Sequence, residues 1–146
     1  MAIAAQEVIR AWVNSNPDLV GAPPGTGPLA RGAYLWEQAS PAEGAYARLQ
    51  RMTLAPALPA AEPGPFDVAR ISALIYGGKQ STAELAAAAY ATAVRDLAGL
   101  PVRVPETRVS ILVAAGLTGP SYVPQPPDTG ELYCFQVLAD FTLRWN

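Results

Sequence analysis

The segment "GAPPGTGPLARG", residues 21–32, is where the sequence comes nearest to a nucleotide-binding loop. A phosphate loop of the pattern G-x-x-x-x-G-K-[ST] holds phosphates and Mg²⁺ with backbone N–H groups, a lysine and a hydroxyl residue. Aligned on Gly27, the pattern places Ala22 at the first glycine, Pro28 at the lysine and Leu29 at the hydroxyl residue. Because the positive charge and the metal ligand are both missing, the sequence predicts a Pro/Gly loop here and not a nucleotide site.

The side chains of most catalytic centres are absent or scattered in this sequence. The chain has no histidine, the commonest general base and neutral metal ligand. Its one cysteine, Cys134, lies in an apolar stretch, where a thiol is typically buried and unreactive. The acidic residues are dispersed along the chain. We therefore expect a protein that is not an enzyme, with no catalytic, cofactor-binding or metal-binding residues and no cofactor.

Other polar and aromatic residues have weaker functional interpretations. Lys79 in "GGKQS" lies where a strand meets a helix, a position that could bind an anion, but the spacing of a phosphate loop is missing and a plain turn is favoured. Asp140 and Arg144 share one face of the last strand, which favours a structural ion pair. The three tryptophans could stack on bases, but no basic residues are interleaved with them, so core or interface anchors are favoured: Trp12, Trp36 and Trp145.

Composition indicates one domain, residues 1–146, with an apolar bias. Apolar residues make up 51% and charged residues 15% of the chain, so copies of the protein could cover part of its surface. The net charge is −2 and the ten basic residues are scattered, which argues against an electrostatic grip on nucleic acid. No apolar run is long enough to span a membrane, and "MAIAAQEVIR" is not a secretory signal. These features predict a soluble protein made inside a cell.

Hydrophobic periodicity predicts an α+β domain with the element order α-β-β-β-α-β-β. The sheet is expected to be mixed and mainly antiparallel, with helices packed on one face. Helices are predicted over residues 2–14 and 81–98, and strands over residues 33–37, 45–52, 66–78, 107–116 and 131–145. Long Pro/Gly loops are predicted over residues 18–32, 53–65 and 117–130.

Side-chain patterns predict which faces of these elements are buried. The first helix carries one apolar stripe: Ala5, Val8, Ile9, Trp12 and Val13. Alternation along the last strand predicts one continuous core face: Tyr133, Phe135, Val137, Ala139, Phe141, Leu143 and Trp145. In the second helix, Ser81 and Glu84 form a predicted capping box. One face of that helix is predicted to carry Leu85, Ala89, Ala93 and Leu97, with Ala86, Tyr90 and Val94 beside it.

Three segments resemble a known family. They are "GPLARGAYLWEQASPAEGAYARLQR", "DVARISALIYGGKQSTAELAAAAYATAVRDLAG" and "YCFQVLADFTLRW". Together they are similar to the tail terminator (tail completion, or minor tail) proteins of long-tailed phages, above all those of actinobacterial hosts. The similarity extends over most of the chain, including the order of its elements. "ARIS", then "YGG", then an alanine-rich helix ending in "RDLAG" is the most specific part.

The resemblance implies a structural virion protein. Such proteins form a homohexameric ring that caps the head-proximal end of the tail tube and stops its polymerisation. The ring docks to a head-completion or neck protein, and DNA passes through its channel without sequence-specific binding. The partners implied are thus the protein itself, the tail tube protein and a neck protein, with no membrane. The implied location is the head–tail junction of the virion.

The family has no catalytic residues to transfer, so the residues of interest are those of interfaces. Our candidates for polar and aromatic interface contacts are Arg31, Trp36, Arg48 and Arg51. The sheet edges and the long loops would form contacts between subunits and with the last ring of the tube. Two alternatives stay open: another neck protein, such as a head–tail connector or stopper, or a cytoplasmic module that binds a small anion at Gly77–Ser81.

Overall fold

A six-stranded sheet forms the centre of the protein, as seen in a computed structural model that describes residues 4–36, 44–52, 66–97, 101–126 and 132–145. The helices of the described residues are α1 (Ala5–Asn14), α2 (Pro17–Val20) and α3 (Gln80–Arg95). The strands are β1 (Ala33–Tyr34), β2 (Tyr46–Met52), β3 (Phe66–Gly77), β4 (Val102–Arg103), β5 (Val109–Val123) and β6 (Tyr133–Trp145).

The sheet is mixed and mostly antiparallel, with the strand order β1-β2-β3-β6-β5-β4. The pairing of β1 with β2 is parallel, and the other four pairings are antiparallel. The helices pack their apolar residues against one face of this sheet, and the core lies between the two layers. The α+β class predicted from the sequence is confirmed.

Alternation along the two central strands explains the core. Four alternate β3 residues are buried under the helices: Ala69, Ile71, Ala73 and Ile75. The predicted face of β6 joins the same core, its middle residues buried and Tyr133 and Trp145 at the two ends half-buried. The two strands pair along their full length, from Phe66 opposite Arg144 to Gly77 opposite Tyr133. Because side chains alternate between faces, this register aligns two apolar rows under the helices.

The apolar stripe and the end of the N-terminal helix are as predicted, although the helix begins at Ala5 and not at residue 2. The segment after it is not a continuous loop. The five residues of the predicted stripe are the buried residues of α1. The short helix α2 then begins at Pro17, because the Asn16 side chain accepts a hydrogen bond from the Asp18 N–H at 3.0 Å and proline suits a first helical position. The predicted loop 18–32 therefore starts with helix, and only the part after Val20 is irregular.

The capping box predicted for α3 is wrong. The helix begins at Gln80, so Lys79 is the N-cap residue and its side chain makes no capping hydrogen bond. Ser81 therefore lies inside the first turn.

The predicted apolar face of α3 only partly coincides with its buried face, because Leu85 is 64% exposed. The residues of α3 that face the sheet are Ala83, Ala86, Ala87, Tyr90, Ala91 and Val94. In an alanine-rich helix several faces are equally apolar, so the pattern does not fix which face is buried.

Strand β5 continues through the third predicted loop. It runs to Val123, so residues 117–123 are strand and only 124–126 are irregular within the described part. Three register shifts against β6 each place one extra residue on β5: between Ile111 and Val113, Ala115 and Thr118, and Thr118 and Ser121. Bulges of this kind let a strand continue through glycine and proline. The predicted loop 53–65 lies outside the described residues. Of the predicted strand 33–37, the described residues 33–36 form strand only at Ala33–Tyr34, and residue 37 lies outside them.

Candidate assembly surfaces

Several polar side chains of the described residues pair with one another across the central strands. Asp140 faces Arg70 across the β3–β6 pair at 4.0 Å and does not form the predicted pair with Arg144. Ser72 accepts a hydrogen bond from Gln136 at 3.0 Å. Within the described ranges, no group of three or more histidine, cysteine, aspartate or glutamate side chains could hold a metal ion. Cys134 is fully buried.

The turn before α3 is tight. A Cβ atom added at Gly77 would lie 2.8 Å from the backbone nitrogen of Ala83 and 3.0 Å from its Cβ. The glycine is thus needed for close packing between the end of β3 and the first turn of α3. Lys79 is exposed at this turn, and its side chain takes no part in capping the helix.

A cluster of tyrosines lies on the sheet face away from the helices. The rings of Tyr46 and Tyr76 stack with centroids 5.2 Å apart, and Tyr34 meets Tyr46 edge-on at 5.9 Å. The guanidinium of Arg31 lies over both Tyr46, at 5.2 Å, and Tyr34, at 5.9 Å. Cation–π contacts of this kind attract an arginine to the ring faces. This cluster was not predicted, because it depends on the pairing of three strands.

The four candidate interface residues are divided between different parts of the molecule. Arg31 and Arg48 lie around Tyr34, which is opposite Arg48 in the β1–β2 pair. The Nε atom of Arg48 is buried and has no hydrogen-bond partner among the described residues. Arg51 pairs with Asp67 through two hydrogen bonds of 2.9 and 3.0 Å. Trp36, two residues past β1, is 62% exposed.

The helix-free face of the sheet, which we call the open face, mixes polar and apolar side chains. Alternation places Arg48, Arg70, Ser72, Gln136, Asp140 and Arg144 on it. Val68 and Met52 also lie on this face and are exposed by 54% and 39%. No helix of the described residues covers it. Its cross-strand ion pair and hydrogen bond make it a moderately polar surface.

The outer strands β1 and β4 are short. In the described part of the chain they therefore leave most of the outer side of β2 and of β5 without a paired strand. Strand β4 pairs with β5 only at Ser110 and Ile111, although β5 continues to Val123. Strand β1 pairs with β2 only at Ala47 and Arg48, although β2 continues to Met52. Unpaired backbone groups along such edges are available to a strand of another chain.

An apolar groove of about 800 Å³ separates the outer face of α3 from the irregular segment after α2. We call it the alanine groove. One wall is α3 and the other is formed by residues 26–30 and 44–45. Among the described residues, twelve line the groove and none of them carries a charge: Thr26, Gly27, Pro28, Ala30, Gly44, Ala45, Ser81, Thr82, Leu85, Ala88, Ala89 and Thr92. The exposed Leu85 lies on the α3 wall.

No family model matches the chain, and no curated protein matches it. In the part of the chain that the structure describes, no helix is long and apolar enough to cross a membrane. A functional interpretation of the molecule therefore depends on its surfaces and on the sequence resemblance described above.

Proposed function

We propose that this protein is a structural component of a phage virion, a tail terminator. In this proposal six copies form a ring that caps the head-proximal end of the tail tube and stops its polymerisation. The ring then docks to a neck protein at the head–tail junction, and DNA passes through its channel. The resemblance of the three quoted sequence segments to tail terminator proteins supports the proposal.

The structural observation that carries the proposal is the pair of incompletely covered edges at opposite sides of one sheet. The outer side of β5 beyond Ile111 and the outer side of β2 beyond Arg48 have no paired strand among the described residues. The two edges belong to different strands, so contact between them joins two copies head to tail. A head-to-tail interface gives a closed ring when its rotation closes on itself.

The composition of β5 makes its edge suitable for contact with another protein. Residues 109–126 contain no charged side chain, and seven of the eight residues from Ala115 to Tyr122 are exposed. Charged side chains on an edge oppose strand pairing, and β5 has none. The bulges and Pro120 limit regular pairing to short stretches, so side-chain contacts must supply the rest of the interface. Helix α3 supports the sheet from behind.

The charge distribution is compatible with passage of DNA. Arg70 on the open face is near Asp140, and Arg51 is paired with Asp67, so two of the arginines are partly neutralised. Tight binding to DNA requires several basic residues that contact phosphates together. A channel lined by a chain of net charge −2 would let DNA slide through.

The proposal is tested by mixing the purified protein with tail tubes of the phage that carries it. At tens of micromolar we expect six-subunit rings in negative-stain images and in light scattering, and we expect one ring at a single end of each tube. Addition during tube assembly should stop elongation, whereas tubes without the protein should keep growing. A protein that stays monomeric and leaves tube growth unchanged contradicts the proposal. Rings that bind capsids but not tubes would favour a connector or stopper.

A further inference from the structure

We propose that Trp36 of one copy docks into the alanine groove of a second copy. This inference rests on the proposed function, because it supplies an anchor for the head-to-tail contact of the ring. The occupant of the groove is thus a second copy of this chain, and the docking residue is an exposed aromatic side chain.

Trp36 differs from the other two tryptophans. Trp12 is 5% exposed and contacts Tyr90 and Phe141 in the core, and Trp145 packs against the same core. Trp36 is 62% exposed, so most of its indole ring is in water. An indole in this position has no role in the core, and tryptophan is among the residues that most often anchor protein interfaces.

The groove has the chemistry that suits an aromatic ring. Because the described residues of its lining are uncharged, a charged occupant would lose hydration without gaining an ion pair with any of them. Glycine and alanine line both walls, so the floor is accessible to a flat side chain: Gly27 and Ala30 on one side, Ala88 and Ala89 on the other. Leu85 is 64% exposed and adds an apolar surface at the side of the groove. A ring that enters the groove would remove this surface from water, which is favourable.

The two surfaces are separate on one molecule. The groove reaches Gly44 and Ala45, just before β2 begins. The parallel register puts Ala33 opposite Ala47 and Tyr34 opposite Arg48, so the chain moves away from the groove as it approaches Trp36. Trp36 does not line the groove of its own chain. Different donor and acceptor surfaces make a heterologous contact between copies.

The area of the contact indicates that it is an anchor and not a whole interface. A buried tryptophan removes roughly 150–250 Å² from water. A stable protein interface buries about 1,600 Å² in total. Trp36 and the groove therefore supply a central contact, and the sheet edges must supply most of the remaining area. Removal of such an anchor typically weakens association by on the order of tenfold or more.

The test uses two variants that change the two sides of the contact. Trp36→Ala removes the indole and keeps the groove, whereas Leu85→Arg puts a charge in the groove and keeps the indole. Because both side chains are exposed, both variants should keep the circular dichroism spectrum of the folded wild-type chain. In sedimentation each variant should shift to smaller species, with an apparent dissociation constant raised on the order of tenfold or more. Trp36→Phe should restore most of the association.

A matched control and a mixing experiment make the result specific. Gln80→Arg adds the same charge to the same helix at an exposed residue outside the groove, and it should assemble as the wild type does. A one-to-one mixture of Trp36→Ala and Leu85→Arg retains one intact indole and one intact groove. At a concentration at which each variant alone is monomeric, the mixture should therefore form dimers.

The outcomes also separate this inference from the proposed function. If both variants form wild-type rings that cap tubes, the docking inference is overturned and the tail terminator proposal stands. If the groove variant alone dissociates, the groove holds another occupant and the assignment of Trp36 is overturned. A wild-type protein that associates through Trp36 but never binds tubes would leave the docking inference intact and reject the tail terminator. A wild-type monomer at tens of micromolar overturns both.

Discussion

The side-chain amide of Asn14 pairs with the backbone of Ala33. Its oxygen accepts a hydrogen bond from the Ala33 N–H at 2.8 Å, and its nitrogen donates to the Ala33 carbonyl at 3.4 Å. Strand β2 is on the other side, where the Ala47 N–H donates to the carbonyl of Gly32. Asn14 thus occupies the place of a neighbouring strand and ties the end of α1 to the short edge strand β1.

We predict that Asn14→Ala lowers the free energy of unfolding by about 1–2 kcal/mol, because the N–H of the buried Ala33 would lose its partner. Asn14→Asp is the matched control. It keeps the acceptor of the 2.8 Å hydrogen bond and loses only the longer one, so the loss should be smaller. Urea denaturation measures both. An alanine variant as stable as the wild type would show that this hydrogen bond makes no net contribution to stability.

Tyr90 carries a buried hydroxyl without a hydrogen-bond partner among the described residues. The ring itself is well packed, with its centroid 6.3 Å from that of Trp12. Phenylalanine keeps the ring and removes a hydroxyl that has lost its hydration. We therefore predict that Tyr90→Phe is as stable as the wild type or more stable by up to about 1 kcal/mol. A loss of stability in denaturant melts would instead indicate a hydrogen bond made by this hydroxyl.

The same side chain predicts a dependence on alkaline pH. Burial raises the pKa of Tyr90 above its value of about 10 in the unfolded chain. Above that pH the unfolded state releases the proton and the folded state keeps it. The contribution of Tyr90 to the free energy of unfolding is therefore complete below about pH 10. It falls by about 1.4 kcal/mol per pH unit as the pH rises toward the raised pKa. The Tyr90→Phe variant lacks this contribution, so its advantage over the wild type should grow above pH 10. Parallel curves would contradict the assignment.

The sequence predicts elements with strong contrast between faces better than elements without it. The α1 stripe and the alternation of β6 were predicted residue by residue, because each element has one apolar side. Helix α3 is rich in alanine, and its apolar pattern does not distinguish the exposed Leu85 from the residues that face the sheet. The continuation of β5 through Gly116, Gly119 and Pro120 depends on bulges opposite β6, which local turn preferences do not reveal.

The candidate surfaces depend on tertiary pairing even more strongly. Tyr46 and Tyr76 stack because they are opposite each other in the β2–β3 register, and neither residue signals this in its local sequence. Residues 26–30 and α3 are far apart in the chain, and the alanine groove forms where they approach each other. Of the predicted interface residues, Trp36 had the clearest sequence signal, a large aromatic residue next to a Pro/Gly loop.

The ion pair between Arg51 and Asp67 should contribute little to stability. Its two hydrogen bonds are short, but the side chains are 42% and 32% exposed, so water and salt screen the charges. We predict that a double-mutant cycle with Arg51→Ala and Asp67→Ala gives a coupling energy of about 0.2–1 kcal/mol, smaller at high salt. Loss of assembly in the stable Arg51→Ala variant would then identify an interface role for this arginine. A coupling well above this range would indicate a pair that water does not reach.

The N-terminus of α3 offers a stabilising substitution, because its N-cap residue is Lys79. A lysine cannot accept the hydrogen bonds of the first-turn N–H groups, and its charge opposes the helix dipole. Lys79→Asp supplies an acceptor and a favourable charge, and we predict a gain of about 1 kcal/mol in the free energy of unfolding. Lys79→Met removes the charge without supplying an acceptor, so its gain should be smaller. Ser81→Ala should have almost no effect, because Ser81 lies in the first turn and does not cap the helix. If Ser81→Ala costs more stability than Lys79→Asp gains, the helix begins two residues later in solution, with Ser81 as its N-cap, and the capping box with Glu84 forms after all.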